Sequence, residues 1–263
     1  MAIITNDHHL TGTMGNITAY KMRGSDKIIV RRKGGASKEQ MKHSPAFERT
    51  RENNTEFGGC SNAGKVIRQV LFSVKHLADY NFSSTLNKLM KNIQLLDTVG
   101  ERGKRSILLS RYAYLLEGFQ LNKTNPFDSV IRHPVTCSIE RKKGWATIAL
   151  PELVRGINFM VPWKCAFFRF IITMGLVRDI VYKEGSYSSS EQIPPPETMF
   201  TDWQPLKQTF AAQNISLQFN VPGVVGDTRA IIVGIGIEMG DPITNLVIER
   251  VKYAGSAKIL AIG

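Results

Sequence analysis

Residues 135–140 read Val-Thr-Cys-Ser-Ile-Glu, and residues 216–221 read Ser-Leu-Gln-Phe-Asn-Val. In both stretches apolar and polar side chains alternate, which is the period of a β-strand with one buried face. Six more short runs have strand character and no helical pattern between them: 145–150, 165–174, 178–183, 229–238, 246–253 and 257–262. About eight such strands predict an antiparallel β-sandwich over residues 121–263.

The pattern upstream of these strands is helical. Ser44-Pro45 combines a capping hydroxyl with a proline suited to the first turn, so it predicts a helix start. We expect this helix to stop at Gly58-Gly59. Apolar side chains then recur every three or four residues, which predicts helices over 61–78, 86–100 and, more weakly, 105–117. Such stripes need a cover, either another helix or a sheet.

The first residues read as a β-hairpin. The β-prone runs Ile17-Thr18-Ala19-Tyr20 and Lys27-Ile28-Ile29-Val30-Arg31 are separated by Gly24-Ser25-Asp26, which has turn chemistry. A lone hairpin is marginal in water, so we expect this one to lie on another surface. The predicted fold class is therefore α+β, with a β-hairpin arm (1–36), a helical region (37–120) and a β-sandwich domain (121–263).

The charge of the chain is high and uneven. The net charge is +12, and residues 1–111 contain 19 Lys and Arg against 9 Asp and Glu, whereas residues 112–263 contain 15 against 13. An electropositive first part is typical of a surface that meets a polyanion or an acidic protein. A solvated basic surface without a partner is the alternative.

One basic cluster stands out within this first part. We define the basic cluster as Tyr20, Arg23, Lys27, Arg31, Arg32, Lys33, Lys38 and Lys42. Phosphate neutralisation by such residues gives an affinity that depends on salt and not on sequence. The chain has no recognisable nucleic-acid-binding module, so contacts with acidic protein surfaces or with a neighbouring subunit stay open.

Two glycine-rich motifs resemble nucleotide-binding sites only superficially. Residues 59–66 read Gly-Cys-Ser-Asn-Ala-Gly-Lys-Val, but a phosphate-binding P-loop needs Ser or Thr where Val66 stands, and a strand before the loop. Residues 234–240 read Gly-Ile-Gly-Ile-Glu-Met-Gly, but the third glycine is one position late for a dinucleotide fingerprint. Glycines within a β-run mark a bulge or a close backbone approach more often.

Candidate catalytic and metal-binding groups are incomplete. His133 and Cys137 would lie about 13 Å apart on one strand. His8-His9, and His76 with Asp79, lack a third ligand nearby in the sequence, and the three cysteines form no Cys-x-x-Cys pair. We therefore predict a protein that is not an enzyme and that has no catalytic residues, no metal and no cofactor.

The sequence also bears on location. No apolar run approaches the roughly 18 residues of a membrane-spanning helix, so we expect no membrane span. The first residues do not have the basic and apolar regions of a secretory signal, which predicts a cytoplasmic protein. Export as part of an assembly stays open.

A resemblance supports a lineage. Gly12-Thr13-Met14-Gly15-Asn16, followed by Tyr20, Gly24 and Val30-Arg31, is similar to the opening of an uncharacterised group of Bacteroidetes proteins with a Gly-x-x-Gly-Asn…Tyr…Gly…Val-Arg pattern. The resemblance is clearest over about the first seventy residues. It implies no activity and assigns no functional residue.

Together these features predict a structural subunit that self-assembles into a filament, shell or tube, with a homo-oligomer or polymer as its natural form. The alternative is a nucleic-acid-binding accessory protein that uses the same basic cluster. A third hypothesis is a carbohydrate- or ligand-binding sandwich with Trp145, Trp163 and Trp203 as stacking platforms, although large aromatics serve more often as core or loop anchors.

Overall fold

The computed structural model describes residues 2–4, 10–23, 25–32, 34–188, 193–219, 226–244 and 246–263. It contains both helices and antiparallel sheets, so the predicted α+β class is confirmed. The chain divides into two compact units, Met1–Arg51 and Glu52–Gly263. This division does not decide the boundaries predicted at residues 36 and 120, which stay predictions.

The first unit contains a four-stranded antiparallel sheet and two short helical segments. The strands lie in the order β1 (Ala2–Ile4), β2 (Leu10–Met14), β3 (Ile17–Lys21) and β4 (Ile28–Arg32). The predicted hairpin is therefore present as β3 and β4, and β1 and β2 extend it into a sheet. Helix α1 (Lys38–His43) follows, with the Ser37 hydroxyl and the Gln40 side chain forming a reciprocal capping box.

Ser44-Pro45 begins only one turn of 3₁₀-helix (Pro45–Phe47), and the long helix α2 (Glu48–Val70) follows it. The predicted stop at Gly58-Gly59 is wrong, because α2 continues through both glycines. A Cβ added at Gly59 would lie 2.8 Å from the ring of Tyr187. Gly59 therefore serves close packing in the middle of a helix and does not end it.

The other helices are shorter than predicted. They are α3 (Ser83–Gln94), α4 (Leu109–Tyr112) and α5 (Phe127–Val130), with 3₁₀ turns at Lys75–Leu77, Ala113–Leu116 and Arg141–Lys143. The helix predicted over 61–78 belongs to α2 up to Val70 and continues as a turn and the 3₁₀ segment Lys75–Leu77. The helix predicted over 86–100 ends at Gln94. The helix predicted over 105–117 is divided into α4 and the 3₁₀ turn Ala113–Leu116. Each keeps its apolar face, since Leu86, Met90 and Ile93 of α3 are fully buried.

The strands that the structure describes in the second unit form three separate sheets. The largest has the order β10-β7-β13-β14, with β11 also paired to β7; the second has the order β12-β6-β5; the third pairs β8 with β9. The bounds are β5 (Thr136–Glu140), β6 (Trp145–Leu150), β7 (Phe167–Arg178), β8 (Val181–Lys183), β9 (Ser186–Ser188), β10 (Glu197–Phe200), β11 (Gln204–Pro205), β12 (Gln213–Gln218), β13 (Arg229–Pro242) and β14 (Ile248–Ile262).

Several strand predictions are confirmed and one is wrong. β5 and β6 match their predicted runs closely, whereas the runs predicted at 246–253 and 257–262 are one strand, β14. A wide bulge interrupts it: Glu238 of β13 pairs with Gly255, and Gly240 pairs with Arg250. This bulge interrupts the alternation of apolar and polar side chains along β14, and for that reason the sequence pattern predicted two strands where the structure has one. The end of the predicted run 216–221 lies outside the described residues.

The central strands β7 and β13 are buried on both faces, which departs from a two-layer sandwich. Phe170 and Ile172 of β7 pack in one core with the three-stranded sheet, whereas Ile171 between them packs in a second core with the helices. A sandwich of about eight strands is thus not confirmed, because the sheets are separate and helices cover one face of the largest. Strands buried on both faces read as continuous apolar runs, and β13 is apolar or glycine from Ala230 to Ile237.

Glycines on the helix-facing side of β13 explain the false dinucleotide fingerprint. A Cβ at Gly234 would lie 2.8 Å from Leu71, and a Cβ at Gly236 would lie 2.6 Å from Leu77 and 3.1 Å from Val74. The segment that follows α2 therefore approaches the backbone of β13 closely. This confirms the prediction of a close backbone approach at these glycines.

Candidate assembly and polyanion surface

The register of the first sheet places a group of apolar side chains on one face. Ile17 lies opposite Met14 on one side and Arg32 on the other, and Ala19 lies opposite Val30. Directly opposite residues share a face, so we define the apolar sheet face as Met14, Ile17, Ala19 and Val30. Ala19 at its centre is buried, but Met14 is 63% exposed and Val30 is 62% exposed. Adjacent large apolar side chains left open to water mark an interaction surface.

The opposite face of this sheet carries polar and basic side chains, with Ile29 directly opposite Tyr20. Thr13 and Thr18 join through their hydroxyls at 3.2 Å, and the guanidinium carbon of Arg31 lies 5.3 Å from the centre of the Tyr20 ring. This cation–π contact orients Arg31 without neutralising its charge. The structure thus brings together two predicted site residues, Tyr20 and Arg31, on one face, while Arg32 lies at the border of the apolar sheet face.

The other members of the basic cluster lie on separate elements. Arg23 and Lys27 lie in the connection between β3 and β4, where the Met22 amide donates to the Lys27 carbonyl at 3.0 Å. Lys38 and Lys42 are one turn apart on α1 and share a face of that helix. Lys33, like Gly24 in the predicted turn, lies outside the described residues.

The electrostatics of the first unit are those of an exposed cationic surface. Residues 1–51 contain ten Lys and Arg against four Asp and Glu, and the described cations of the basic cluster are all exposed. Lys21, beside the cluster, pairs with Asp26 at 2.8 Å on the surface. Exposed charges of this kind act through a salt-screened field.

β4 also forms an edge of its sheet. The strand order ends at β4, and among the described residues no strand pairs with its outer side. A free edge presents unpaired amides and carbonyls that can pair with another strand. The apolar sheet face and the β4 edge were not predicted from the sequence, because they depend on strand register. The run of apolar residues at 28–30 was the one sequence signal that pointed to them.

A second polar cluster lies in the second unit, around the fully buried carboxylate of Glu238. His76 Nε2 lies 2.6 Å from one oxygen, and Arg169 donates to the other from Nε at 2.7 Å and from its terminal nitrogen at 2.6 Å. Burial alone would raise the pKa of Glu238, but these hydrogen bonds and charges together lower it below its ordinary value. The Arg169 guanidinium lies between the rings of Phe200 and Trp203, at 4.8 and 4.4 Å.

This cluster ties three elements of the second unit together. Glu238 belongs to β13, Arg169 is its directly paired neighbour on β7, and His76 belongs to the 3₁₀ turn that covers them. Both carboxylate oxygens of Glu238 are engaged, so the arrangement fixes register and orientation. His76 and Asp79, considered together as metal ligands, have different partners. His76 contacts Glu238, whereas Asp79 accepts hydrogen bonds from the amides of Lys123 and Thr124.

A similar network surrounds the buried Glu56 of α2. Lys91 pairs with its carboxylate, and the Gly103 amide donates to it at 2.9 Å. Burial opposes the charge, but the Lys91 and Gly103 contacts lower the pKa of Glu56 below its ordinary value. Gln94 donates to the Arg105 carbonyl at 3.1 Å and accepts from Lys91 at 3.0 Å. These contacts join α2, α3 and the loop after α3.

The thiols and tryptophans offer no assembled site. Burial raises the pKa of the Cys60 and Cys137 thiols to about 11, so both are protonated at neutral pH. The tryptophans lie in different environments: Trp163 packs against the core, Trp203 stacks on Arg169, and Trp145 is partly exposed on β6. Within the described ranges, no group of three or more His, Cys, Asp or Glu residues is placed to hold a metal ion.

No protein-family model, curated protein or solved structure matches this chain. The resemblance to the Bacteroidetes group therefore stays a prediction. None of the described helices combines the length and the apolar composition needed to cross a membrane.

Proposed function

We propose that this protein is a non-enzymatic structural subunit that assembles with copies of itself through its N-terminal sheet. The single observation that carries the proposal is the apolar sheet face, with Met14, Ile17 and Val30 open to water beside the free edge of β4. A sheet that leaves such a face and edge open gains stability when another chain covers it. In this proposal the three- and five-stranded sheets serve as the sandwich-like body of the subunit.

The expected partner is a second copy of the chain. Exposed strand edges pair by β-augmentation, in which main-chain hydrogen bonds supply affinity and side-chain pockets supply specificity. The basic residues beside the edge would then set the direction of approach and keep unrelated basic surfaces away.

Sedimentation velocity of the full chain over a concentration series tests the proposal. We expect species larger than one chain that grow with concentration and contain no nucleic acid, with ordered particles under the electron microscope. The variant Val30→Asp places a charge in the apolar sheet face and should move the assembly midpoint at least about tenfold higher in concentration, as expected for a contact residue at the centre of an interface.

A matched control is Val99→Asp, which makes the same chemical change at a side chain that is 93% exposed in the second unit. This variant should assemble like the parent. A parent protein that stays monomeric at every concentration, or a Val30→Asp variant that assembles normally, would overturn the proposal.

Polyanion binding is the second candidate function. The exposed Arg31 and Arg32 on β4, with Lys27 and Arg23 beside them, favour it. Binding to duplex DNA or to RNA would then weaken steeply with salt and show little sequence preference. If the protein purifies free of nucleic acid and shows no binding to DNA or RNA at low salt, this candidate function is excluded, and the assembly proposal is unaffected.

A further inference from the structure

The hairpin that joins β13 to β14 extends beyond its sheet. The pairing of β13 with β7 ends where Gly240 lies opposite Phe167, but the pairing of β13 with β14 continues to Pro242 opposite Ile248. Residues 241–244 and 246–250 therefore form a two-stranded ribbon, which we call the tip ribbon. Its root is anchored, since a Cβ at Gly240 would lie 2.7 Å from both Trp203 and Ile248.

The end of the tip ribbon is a preformed turn with apolar side chains facing water. The Ile243 amide donates to the Val247 carbonyl at 2.9 Å, and the Thr244 hydroxyl accepts from the Val247 amide at 3.1 Å. Ile243 and Val247 are nonetheless exposed, and Leu246 is 95% exposed. A lone two-stranded ribbon with such a tip is marginal in water, so it gains from a partner surface.

The charges of the tip ribbon identify the chemistry of that partner. Asp241 and Glu249 are directly opposite each other on neighbouring strands, so two carboxylates share one face. Asp241 accepts from the Ala166 amide at 2.8 Å, and Arg250 lies opposite Gly240 at the next pair. Like charges placed directly across a strand pair are destabilising. A cationic strand alongside would relieve this cost.

Strand β4 of another copy has the matching properties. It is an edge strand, it carries Arg31 and Arg32 in succession, and Val30 before them is exposed and apolar. On the tip ribbon, β14 is the last strand of its sheet, and no described strand pairs with its outer side at residues 248–250. Both edges therefore have main-chain groups available for pairing.

We infer that the tip ribbon of one copy receives the β4 edge of a second copy, with Arg32, which shares a face of β4 with Val30, facing Asp241 and Glu249. This inference rests on the proposed function and adds the identity of the acceptor. The contact is heterologous, because the donor and acceptor surfaces differ; each contact leaves one donor and one acceptor free, and repetition from copy to copy produces a ring or an open filament.

A mixing experiment with two full-length variants tests the acceptor. Val30→Asp disables the donor surface and leaves the tip ribbon intact; Leu246→Asp disables the tip ribbon and leaves the donor intact. Each alone should stay monomeric at concentrations where the parent assembles, at least about tenfold above its midpoint. Mixed in equal amounts, they should form a species with the mass of two chains, because one competent contact remains.

The outcomes separate this inference from the proposed function. If Leu246→Asp assembles like the parent while Val30→Asp does not, the N-terminal sheet contacts a surface other than the tip ribbon. In that case the proposed function stands, and only the identification of the tip ribbon as acceptor is wrong. If both fail alone and the mixture also stays monomeric, the heterologous pairing is wrong. If the parent itself is monomeric, the proposed function is wrong, and the inference that rests on it is wrong as well. Val99→Asp serves again as the matched control, and circular dichroism verifies that each variant is folded.

A charge exchange gives an independent readout. Glu249→Arg should weaken assembly, since it places a cation opposite Arg32, and Arg32→Glu should weaken it for the converse reason. The double variant restores opposite charges and should recover most of the parent midpoint. Equal loss in the double and single variants would refute the pairing of these two residues.

Discussion

Two adjacent glycines in α2 should respond in opposite ways to the same substitution. Gly58 is exposed in the middle of the helix, and a Cβ there would meet nothing within 4 Å. Gly59 is buried, and a Cβ there would lie 2.8–2.9 Å from three ring atoms of Tyr187. Gly58→Ala should therefore stabilise the protein, whereas Gly59→Ala should not.

The magnitudes follow from helix propensity and packing. Alanine is favoured over glycine in a helix interior by about 1 kcal/mol, which applies at both positions. At Gly59 the added methyl group must displace a ring whose hydroxyl donates to the Arg105 carbonyl at 2.6 Å, and overpacking of this kind costs about 1–3 kcal/mol. The two variants should therefore differ by about 1–3 kcal/mol, or roughly 2–6 °C in Tm for a chain of this size.

Thermal and urea unfolding of the two variants and the parent measure this difference. The same two substitutions made in a Tyr187→Ala variant complete the test. Without the ring, Gly59→Ala should raise the free energy of unfolding as much as Gly58→Ala does. Equal stability of the two single variants would refute the packing of Tyr187 on α2. A destabilised Gly58→Ala would refute the continuity of the helix through this position.

Three further predictions concern other parts of the molecule. Glu238→Gln should lower the free energy of unfolding by about 1.5–3 kcal/mol at pH 7. Because the fold lowers the pKa of Glu238, the ionised carboxylate stabilises the protein above its ordinary pKa, and this stabilisation is lost as the pH falls through the lowered pKa, where the denaturation curves of parent and variant should converge. Gly236→Ala should cost about 1–3 kcal/mol in urea unfolding, since its Cβ would lie 2.6 Å from Leu77. If the chain binds DNA, replacing Arg31 and Arg32 by Gln should reduce the slope of log K against log salt by roughly 2 in filter binding, and an unchanged slope would place the contact elsewhere.

Elements with a clear local period could be predicted from the sequence. The alternation at 136–140 gave β5, and the stripe of Leu86, Met90 and Ile93 gave α3. The limits of elements were harder to predict, because tertiary contacts decide them. Gly59 reads locally as a helix stop, and only the ring of Tyr187, distant in sequence, explains why the helix continues.

The candidate surface was predictable in part. The basic cluster follows from composition alone, since Lys and Arg are dense between residues 21 and 42. The apolar sheet face was not predictable, because it requires knowing that Ile17 pairs with Met14 and that Ala19 pairs with Val30. Likewise, the acidic pair Asp241 and Glu249 exists only in the register of the β13–β14 hairpin.

The double burial of β13 has a consequence for biosynthesis. The apolar stripe of α2 leaves the ribosome about 160 residues before β13 (Arg229–Pro242), the strand on which the segment after α2 packs. At roughly 5–20 residues per second, this delay is about 8–30 s. During that interval Leu71 and Val74 lack the glycine positions of β13 on which they pack. We expect the nascent chain to be a chaperone client until the last strands emerge, and its productive yield to depend on chaperone supply more than its final stability would indicate.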